Sequence, residues 1–364
     1  MSTDKVESTF FRRTSRWKLI VFLLVLALIM TVIVSLNVGY AQIPFPDILG
    51  ILGKQIPFLD RFIDSSLISS QNEAIVLQVR LPRIIAGVLI GAALAAAGVL
   101  YQGVFKNPMA DSYVLGVSAG AAVGASASIL SGIGFVFFEL RLVQVAAFIG
   151  ALSAMFLVYN LARVGPRVPV TTLLLCGIAV NFFLFAVVGL LESIAANRLH
   201  DIVFWLMGGY SNVSWKDVWA ILPFIIIGII AAYFYVRDLN LLAMDEETAH
   251  HLGVNVERSK QILLVLASLI TAAAVSVCGL IGFVGLMIPH LTRLVIGPDH
   301  RILLPTSTII GAIFLVLCDD LARVLSTPFV SVSTREWPVG IITMLFGAPF
   351  FIFLLKKKKQ SYAA

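Results

Sequence analysis

Charge is scarce in this chain. Only 13% of its 364 residues are Asp, Glu, Lys or Arg, about half the share of a soluble domain, while 59% are hydrophobic and mean hydropathy is +0.99. That balance excludes a soluble globular protein, and the length is better measured against a bilayer, where each span takes roughly 20 apolar residues. Cysteine is also rare. Cys176, Cys278 and Cys318 sit far apart in apolar runs, with no CxxC or Cys/His spacing, so they read as small packing residues and define no metal site. No G-x-x-x-x-G-K-[ST] phosphate loop occurs, so the chain holds no ATP site of that kind. The formal net charge of +6 is not drawn out as a basic stripe interleaved with aromatics, which argues against nucleic acid.

Long apolar runs are what the sequence does have. Ten fall near 19–38, 84–105, 113–131, 142–163, 171–191, 218–236, 261–281, 283–297, 303–322 and 339–355. The eighth is short and interrupted by Pro289. The stretch 198–217 is apolar but carries Gly208 and Gly209, and reads as an outside segment leading into the sixth span. "FFRRTSRWK" before the first run resembles a signal peptide, but the run is too long for an h-region and "NVGYAQ" is a poor cleavage site, so it reads as an uncleaved first span. With a basic cytoplasmic N-terminus (1–18), ten spans place 17 of the 26 Lys and Arg residues inside, together with the cytoplasmic tail 356–364 and its "KKKK". The whole chain, 1–364, then forms one transmembrane domain in a cytoplasmic membrane, with both termini inside. Gly- and Ala-rich runs such as "GVLIGAALAAAG" let backbones approach closely, so the fold class is an all-α compact bundle of about ten transmembrane helices.

One segment breaks the pattern. "LLAMDEETAHHLGVNVERSK" (241–260) gathers three acids, two histidines and two bases plus Glu257 within the cytoplasmic loop 237–260. Asp245 is placed to cap a helix with Glu246 and Glu247 in its first turn, His250 and His251 in its last, and Gly253 at a left-handed C′ position. Such a helix is roughly 10 Å long, too short to cross a bilayer. It would lie on the membrane face, with Leu241, Met244, Thr248 and Leu252 along one side, suited to docking a partner. Glu246/His250 and Glu247/His251 are spaced i, i+4, but with no third ligand near, a metal site is not assigned.

Other polar features have competing readings. "GVSAG" (116–120) matches the G-x-S-x-G nucleophile elbow, which would make Ser118 the nucleophile of an intramembrane hydrolase. That motif needs a strand–turn–helix setting with a His partner, and here it opens an Ala/Gly-rich helix, so helix packing is preferred. Gln102, Asn160, Asn181, Asp319, Asp320 and Arg323 lie within or beside spans. Asp319 and Asp320 beside Arg323 fit either a structural pairing or the coupling carboxylates of an ion-driven secondary transporter.

Several stretches together are similar to the FecCD family of ABC importer permeases: "RLPR" (80–83), "YQGVFKNPMAD" (101–111), "LGVSAGAAVG" (115–124), "HHLGV" (250–254), "GFVGLMIPHLTRL" (282–294), "GPDHRILLP" (297–305), "LAR" (321–323) and "EWPVGIITMLFGAPFFIFLL" (336–355). The resemblance implies a type II importer permease with ten spans, paired with a second permease subunit in a homo- or heterodimer. Two cytoplasmic ATPase subunits would bind ATP and Mg, and an extracytoplasmic substrate-binding protein would deliver an iron–siderophore, haem or cobalamin. The chain itself would hold no cofactor and perform no catalysis. The resemblance also implies that the 241–260 segment is the ATPase-coupling element, with Asp245, Glu246, Ala249, Leu252 and Gly253 as its residues and Ala249, Leu252 and Gly253 on an A-x-x-L-G pattern. Arg80, Arg83 and Arg323 match positions where permease arginines meet acidic residues of the binding protein. Two stretches depart from the pattern: 324–337 is longer than usual, and so is the outer loop 39–79.

Overall fold

The computed structural model describes residues 3–55, 57, 69–133, 136–137, 140–326 and 336–363. Of the two stretches that depart from the family pattern, residues 56 and 58–68 of 39–79 and residues 327–335 of 324–337 lie outside the described residues. In chain order the helices are α1 (Thr3–Asn37), α2 (Phe45–Lys54), α3 (Ser70–Ala74), α4 (Leu81–Val104), α5 (Val117–Ser131), α6 (Leu142–Ala162), α7 (Val170–Ile194) and α8 (Leu199–Leu206). They continue as α9 (Trp215–Phe234), α10 (Val236–Met244), α11 (Glu246–His251), α12 (Val256–Cys278), α13 (Val284–Ile296), α14 (His300–Ser326) and α15 (Val339–Ala363). A π-helical turn, Ile75–Arg80, joins α3 to α4, and a hairpin of two-residue strands precedes α6.

Seven helical stretches are long and apolar enough to cross a membrane, and α5, α13 and α15 carry shorter apolar helices. These ten coincide one for one with the ten apolar runs of the sequence. The fold is therefore the all-helical bundle that the composition predicts. Backbone N–H and C=O groups have no water to bond in hydrocarbon, so a chain this apolar must satisfy them within helices.

α4 is the hub. It is apolar on all sides and made largely of Ala, Gly and Leu, and it packs against α14, α12 and α13. A Cβ placed on Gly91 would lie 2.3 Å from the Gly311 carbonyl oxygen of α14. α5 meets α6 in the same way, through Gly120 against the Gly150 carbonyl. α1 and α7, by contrast, expose rows of Leu, Phe and Ile, including Phe22, Phe182 and Leu190, as lipid-facing helices do.

The stretch around 198–217 differs from its reading as an outside segment. α8 turns into the bundle: Ile202 is fully buried, Gly209 N–H donates to Cys278 O at 2.7 Å, and Gly340 N–H donates to Gly208 O at 3.0 Å. Side-chain-free backbone at Gly208 and Gly209 permits that close approach, which hydropathy alone does not reveal. Three interruptions, after α8, after α12 and before α15, thus meet in one place. α13, starting beside the last two turns of α4 where Gly285 faces Gly98, is 13 residues long. At 1.5 Å per residue it covers about 20 Å, less than a bilayer core of about 30 Å.

Gly91→Val inserts a branched side chain where backbone carbonyl already sits. Overpacking of this sort costs about 3 kcal/mol or more, and thermal unfolding of the purified variant should show a large drop. Gly189→Ala, which meets nothing within 4 Å, should leave the transition where it was.

Candidate functional site

Both ends of the bundle carry organised polar groups. At one end, α11 follows α10 through Asp245, whose extended backbone (φ −163°, ψ 150°) points its carboxylate back at the helix. That carboxylate accepts from Glu247 N–H at 3.1 Å and Thr248 N–H at 3.4 Å. The same amide groups, Thr248 first, hold the Asp245 carboxyl below the usual carboxylate range. At the far end Val254 N–H donates to Ala249 O and Gly253 N–H to His250 O, both at 3.0 Å, and Gly253 has φ +86°. This is a Schellman close, and the contact it favours between the residues two beyond the cap and three before it is met by buried Val254 and Ala249. The capped helix read from the sequence is present with the same first and last turns.

The face of α11 is divided more finely than the sequence suggests. Met244 is 72% and Leu252 54% exposed, and Thr248, His250 and His251 are exposed as well, while Leu241 is half-buried against the core. Ala249 is fully buried, so it seats the helix on the bundle and offers no surface to a partner. Glu246 turns inward to Lys260, which is 6% exposed, with Oε1 2.9 Å from Nζ. Lys260 Nζ also donates to Glu257 Oε1 at 3.0 Å, and Glu257 Oε2 accepts from Val168 N–H at 3.0 Å. One lysine therefore fastens α11, the foot of α12 and the turn between α6 and α7. Ser259 Oγ adds a bond from α12 to Asp238 of α10 at 2.7 Å. Sequence reasoning missed this junction, although Glu257 and Lys260 stand i, i+3, a spacing that pairs side chains on a helix. A groove of about 960 Å³ lies between α11 and that turn, lined by Arg167, Glu247 and His251 among others. Among the described residues no three metal-binding side chains converge.

At the opposite end, three arginines and three acids are gathered. Arg83 grips Asp319 with two prongs, Nε to Oδ2 at 2.9 Å and Nη2 to Oδ1 at 2.8 Å, and its Nη1 donates to Glu336 at 2.5 Å. Arg323 Nε lies 3.2 Å from Asp319 Oδ2, while its Nη2 bonds Asp320 and, at 2.9 Å, Ser35 Oγ. Ser35 Oγ donates in turn to Asp320 at 2.6 Å. Arg80 donates to the Leu36 carbonyl at 2.5 Å and to that of Ala41, and Arg323 Nη1 to that of Val38 at 2.6 Å. The network thus ties the end of α1 to the starts of α4 and α15 and the end of α14.

Arg80, Arg83 and Arg323, the positions that the family resemblance marks for docking, are 5%, 7% and 7% exposed and donate to carbonyl, hydroxyl and carboxylate oxygens of the chain itself. A guanidinium in this setting must be satisfied locally, and Asp319, Asp320 and Glu336 are at hand. Asp319 and Asp320 accordingly take the structural pairing, since neither is the lone intramembrane carboxylate that an ion-driven carrier needs. Only Glu336, with a side chain 38% exposed, connects the network to the surface. Ser118 is equally occupied by structure: it is 2% exposed, bonds Ser112 Oγ at 3.2 Å, and lies on α5 where that helix packs on α6.

An all-helical multi-pass membrane protein with a capped surface helix at one end is the architecture of a transport subunit, and comparisons with known proteins agree. A model of the FecCD transport family matches residues 26–357, and the chain belongs to that family. The chain is 48% identical over 287 residues to the cobalamin import system permease protein BtuC of Halobacterium salinarum, covering 79% of this chain and 74% of that one. It is 40% identical over 301 residues to the hemin transport system permease protein HmuU of Yersinia pestis, covering 80% and 87%. Its fold matches a solved inward-facing metal-chelate type ABC transporter with a TM-score of 0.76 and 30% identity, over 93% of this chain and 99% of the other. The protein is a permease of the ABC importers that take up metal chelates and vitamins.

Asp319→Asn removes the negative charge shared by two buried arginines and turns one of its two acceptor oxygens into a donor. Breaking a buried pair in this way costs about 3–5 kcal/mol, against roughly 1 kcal/mol or less for Lys54→Gln in the partly exposed Lys54–Glu73 pair. Thermal unfolding in one detergent should rank the two variants in that order. For the junction, Lys260→Met should speed amide exchange across 246–254 about fivefold, the ratio that roughly 1 kcal/mol of lost ion pairing supplies. Hydrogen-exchange mass spectrometry of Lys260→Arg should show wild-type protection.

Proposed function

We propose that this chain carries a metal chelate, cobalamin first among the candidates, as one of two permease subunits around a central path. Two ATPase subunits on the cytoplasmic side would seat α11, and ATP and Mg would be bound by them. An extracytoplasmic binding protein would deliver the ligand. The capped helix α11 carries this reading: it is short, closed at both ends, anchored by Ala249, and flanked by exposed Met244 and Leu252 on a face that exposed Glu247, His250 and His251 make too polar for lipid. The excess of Lys and Arg in segments 1–18, 237–260 and 356–364 supports an orientation with both termini and α11 in the cytoplasm of a cell-membrane protein. Identity to a cobalamin permease supports the ligand, with haem and iron–siderophore next.

In mechanism, the chain does no covalent chemistry. Closure of the ATPases would displace α11, and the displacement would pass through Lys260 and Glu257 into α12 and the α6–α7 turn. α12 ends at Cys278, whose carbonyl holds Gly209, so a shift of α12 bears directly on the meeting point of the three interruptions. Such a device biases a bundle between two access states, as rigid-body and shear switches do. At the other end, a carboxylate of the delivering protein would reach Arg83 by replacing Glu336, the one exposed member of the ion network. Arg80 and Arg323 would support that exchange from within.

The test is co-purification from the native membrane followed by reconstitution in proteoliposomes. An ATPase subunit should accompany the chain, and ATP should drive uptake of cyanocobalamin in preference to hemin or a ferric siderophore. Gly253→Val forces a β-branched residue into positive φ, at a cost of about 1–2 kcal/mol. It should lower uptake about tenfold while the subunits remain assembled. Uptake that proceeds without any ATPase would sink the reading, and wild-type uptake by Gly253→Val would remove α11 from the coupling path.

A further inference from the structure

A groove of about 500 Å³ opens on the outside of the bundle between the start of α1, the end of α9 and the start of α14. These three helix ends lie on the side of the bundle that carries α11, at the depth where apolar spans begin and stop: Ser15–Asn37, Trp215–Phe234 and His300–Ser326 are the spanning stretches concerned. Its lining is sorted by depth. Buried Ile302 forms the floor, and Val21 and Phe22 supply apolar walls. Lys18 and Arg301 stand at the rim, both exposed, with the rings of Trp17 and Tyr233 beside them.

Among the described residues no acid pairs with the charge at that rim. Among the described residues, ion pairs form at Lys54, Arg83, Lys260 and Arg323, and Lys18 and Arg301 belong to none of them. Asp299, the acid nearest Arg301 in the chain, accepts from Asn240 Nδ2 at 2.9 Å and from the Arg301 backbone N–H at 3.1 Å with the same oxygen. Among the described residues no carboxylate lines the groove. The larger groove beside α11 differs in kind, because Glu246, Glu247 and Glu257 line it.

We infer that this groove is a binding site for an anionic glycerophospholipid, its phosphate between Lys18 and Arg301 and an acyl chain along Val21, Phe22 and Ile302. Charge complementarity selects an anion, and the apolar trough selects one that carries a hydrocarbon chain. Trp and Tyr rings favour the headgroup level of a membrane, which places the two bases at phosphate depth. Basic pockets between spanning helices hold anionic headgroups by the same physics. The site owes nothing to the importer reading and stands whichever leaflet that end faces.

Native mass spectrometry of the full chain, released from nanodiscs of equimolar phosphatidylglycerol and phosphatidylcholine, tests it. The wild-type chain should retain phosphatidylglycerol about tenfold over phosphatidylcholine. Lys18→Gln with Arg301→Gln should bring the two lipids to parity, and Arg301→Lys should keep the preference. Arg258→Gln with Lys356→Gln, which removes two bases from the same end but outside the groove, should also keep it. Equal retention of both lipids by the wild-type chain overturns the site. So does an undiminished preference in the Lys18→Gln, Arg301→Gln chain, or a loss equal to it in the Arg258→Gln, Lys356→Gln chain. Displacement of the retained lipid by inorganic phosphate would assign the groove to a soluble anion and overturn it likewise.

Discussion

A peptide N–H or C=O left without a partner in hydrocarbon costs several kcal/mol, because no water is present to take its place. Every regular part of this chain follows from that constraint, and so do the irregular parts. The spans are helical because a helix satisfies its own backbone. Where helices stop inside the bundle, the freed groups have to find one another, and they do: Gly209 N–H meets Cys278 O and Gly340 N–H meets Gly208 O. Charged side chains obey the same rule with larger penalties. Arg80, Arg83 and Arg323 donate to internal carbonyl, hydroxyl and carboxylate oxygens, and three acids lie among the three bases.

The two ends of the bundle answer this constraint differently. One uses a dense, buried network that joins α1, α4, α14 and the start of α15, and it resembles a clamp. The other leaves α11 standing on the surface, closed by its own caps, seated by Ala249 and Val254 and fastened through Lys260. Ion pairing is strong where it is buried and modest where Glu246 and Glu257 remain partly exposed. Rigidity is thus concentrated at the end away from α11, and the end that carries α11 is the more easily displaced.

Hydropathy alone made much of the fold legible. All ten apolar runs became helices, because run length and composition decide whether a segment can bury its backbone in lipid. The α11 helix was also readable, since Asp245, Glu246, Glu247 and Gly253 are local signals that act within one turn of where they stand. What could not be read was everything that depends on partners far apart in sequence. Arg83 and Asp319 are 236 positions apart and Lys260 and Glu246 are 14 apart, and nothing local announces either pair. The inward turn at 198–217 was missed for the same reason, because its significance lies in Cys278 and Gly340. Family resemblance gives the arginines a role toward a partner, and the long-range contacts add that the chain's own acids and carbonyls hold them in place.

The joint where α8, α12 and α15 meet is made of main-chain atoms. No side-chain replacement deletes a bond between one peptide group and another, apart from proline at the donating residue. The joint is instead vulnerable to added bulk, since a Cβ on Gly208 or Gly279 would lie 2.2 Å from a carbonyl oxygen and one on Gly340 2.1 Å from another. Relatives that carry different cargoes can be expected to vary the side chains around this joint while glycine persists at 208, 279 and 340.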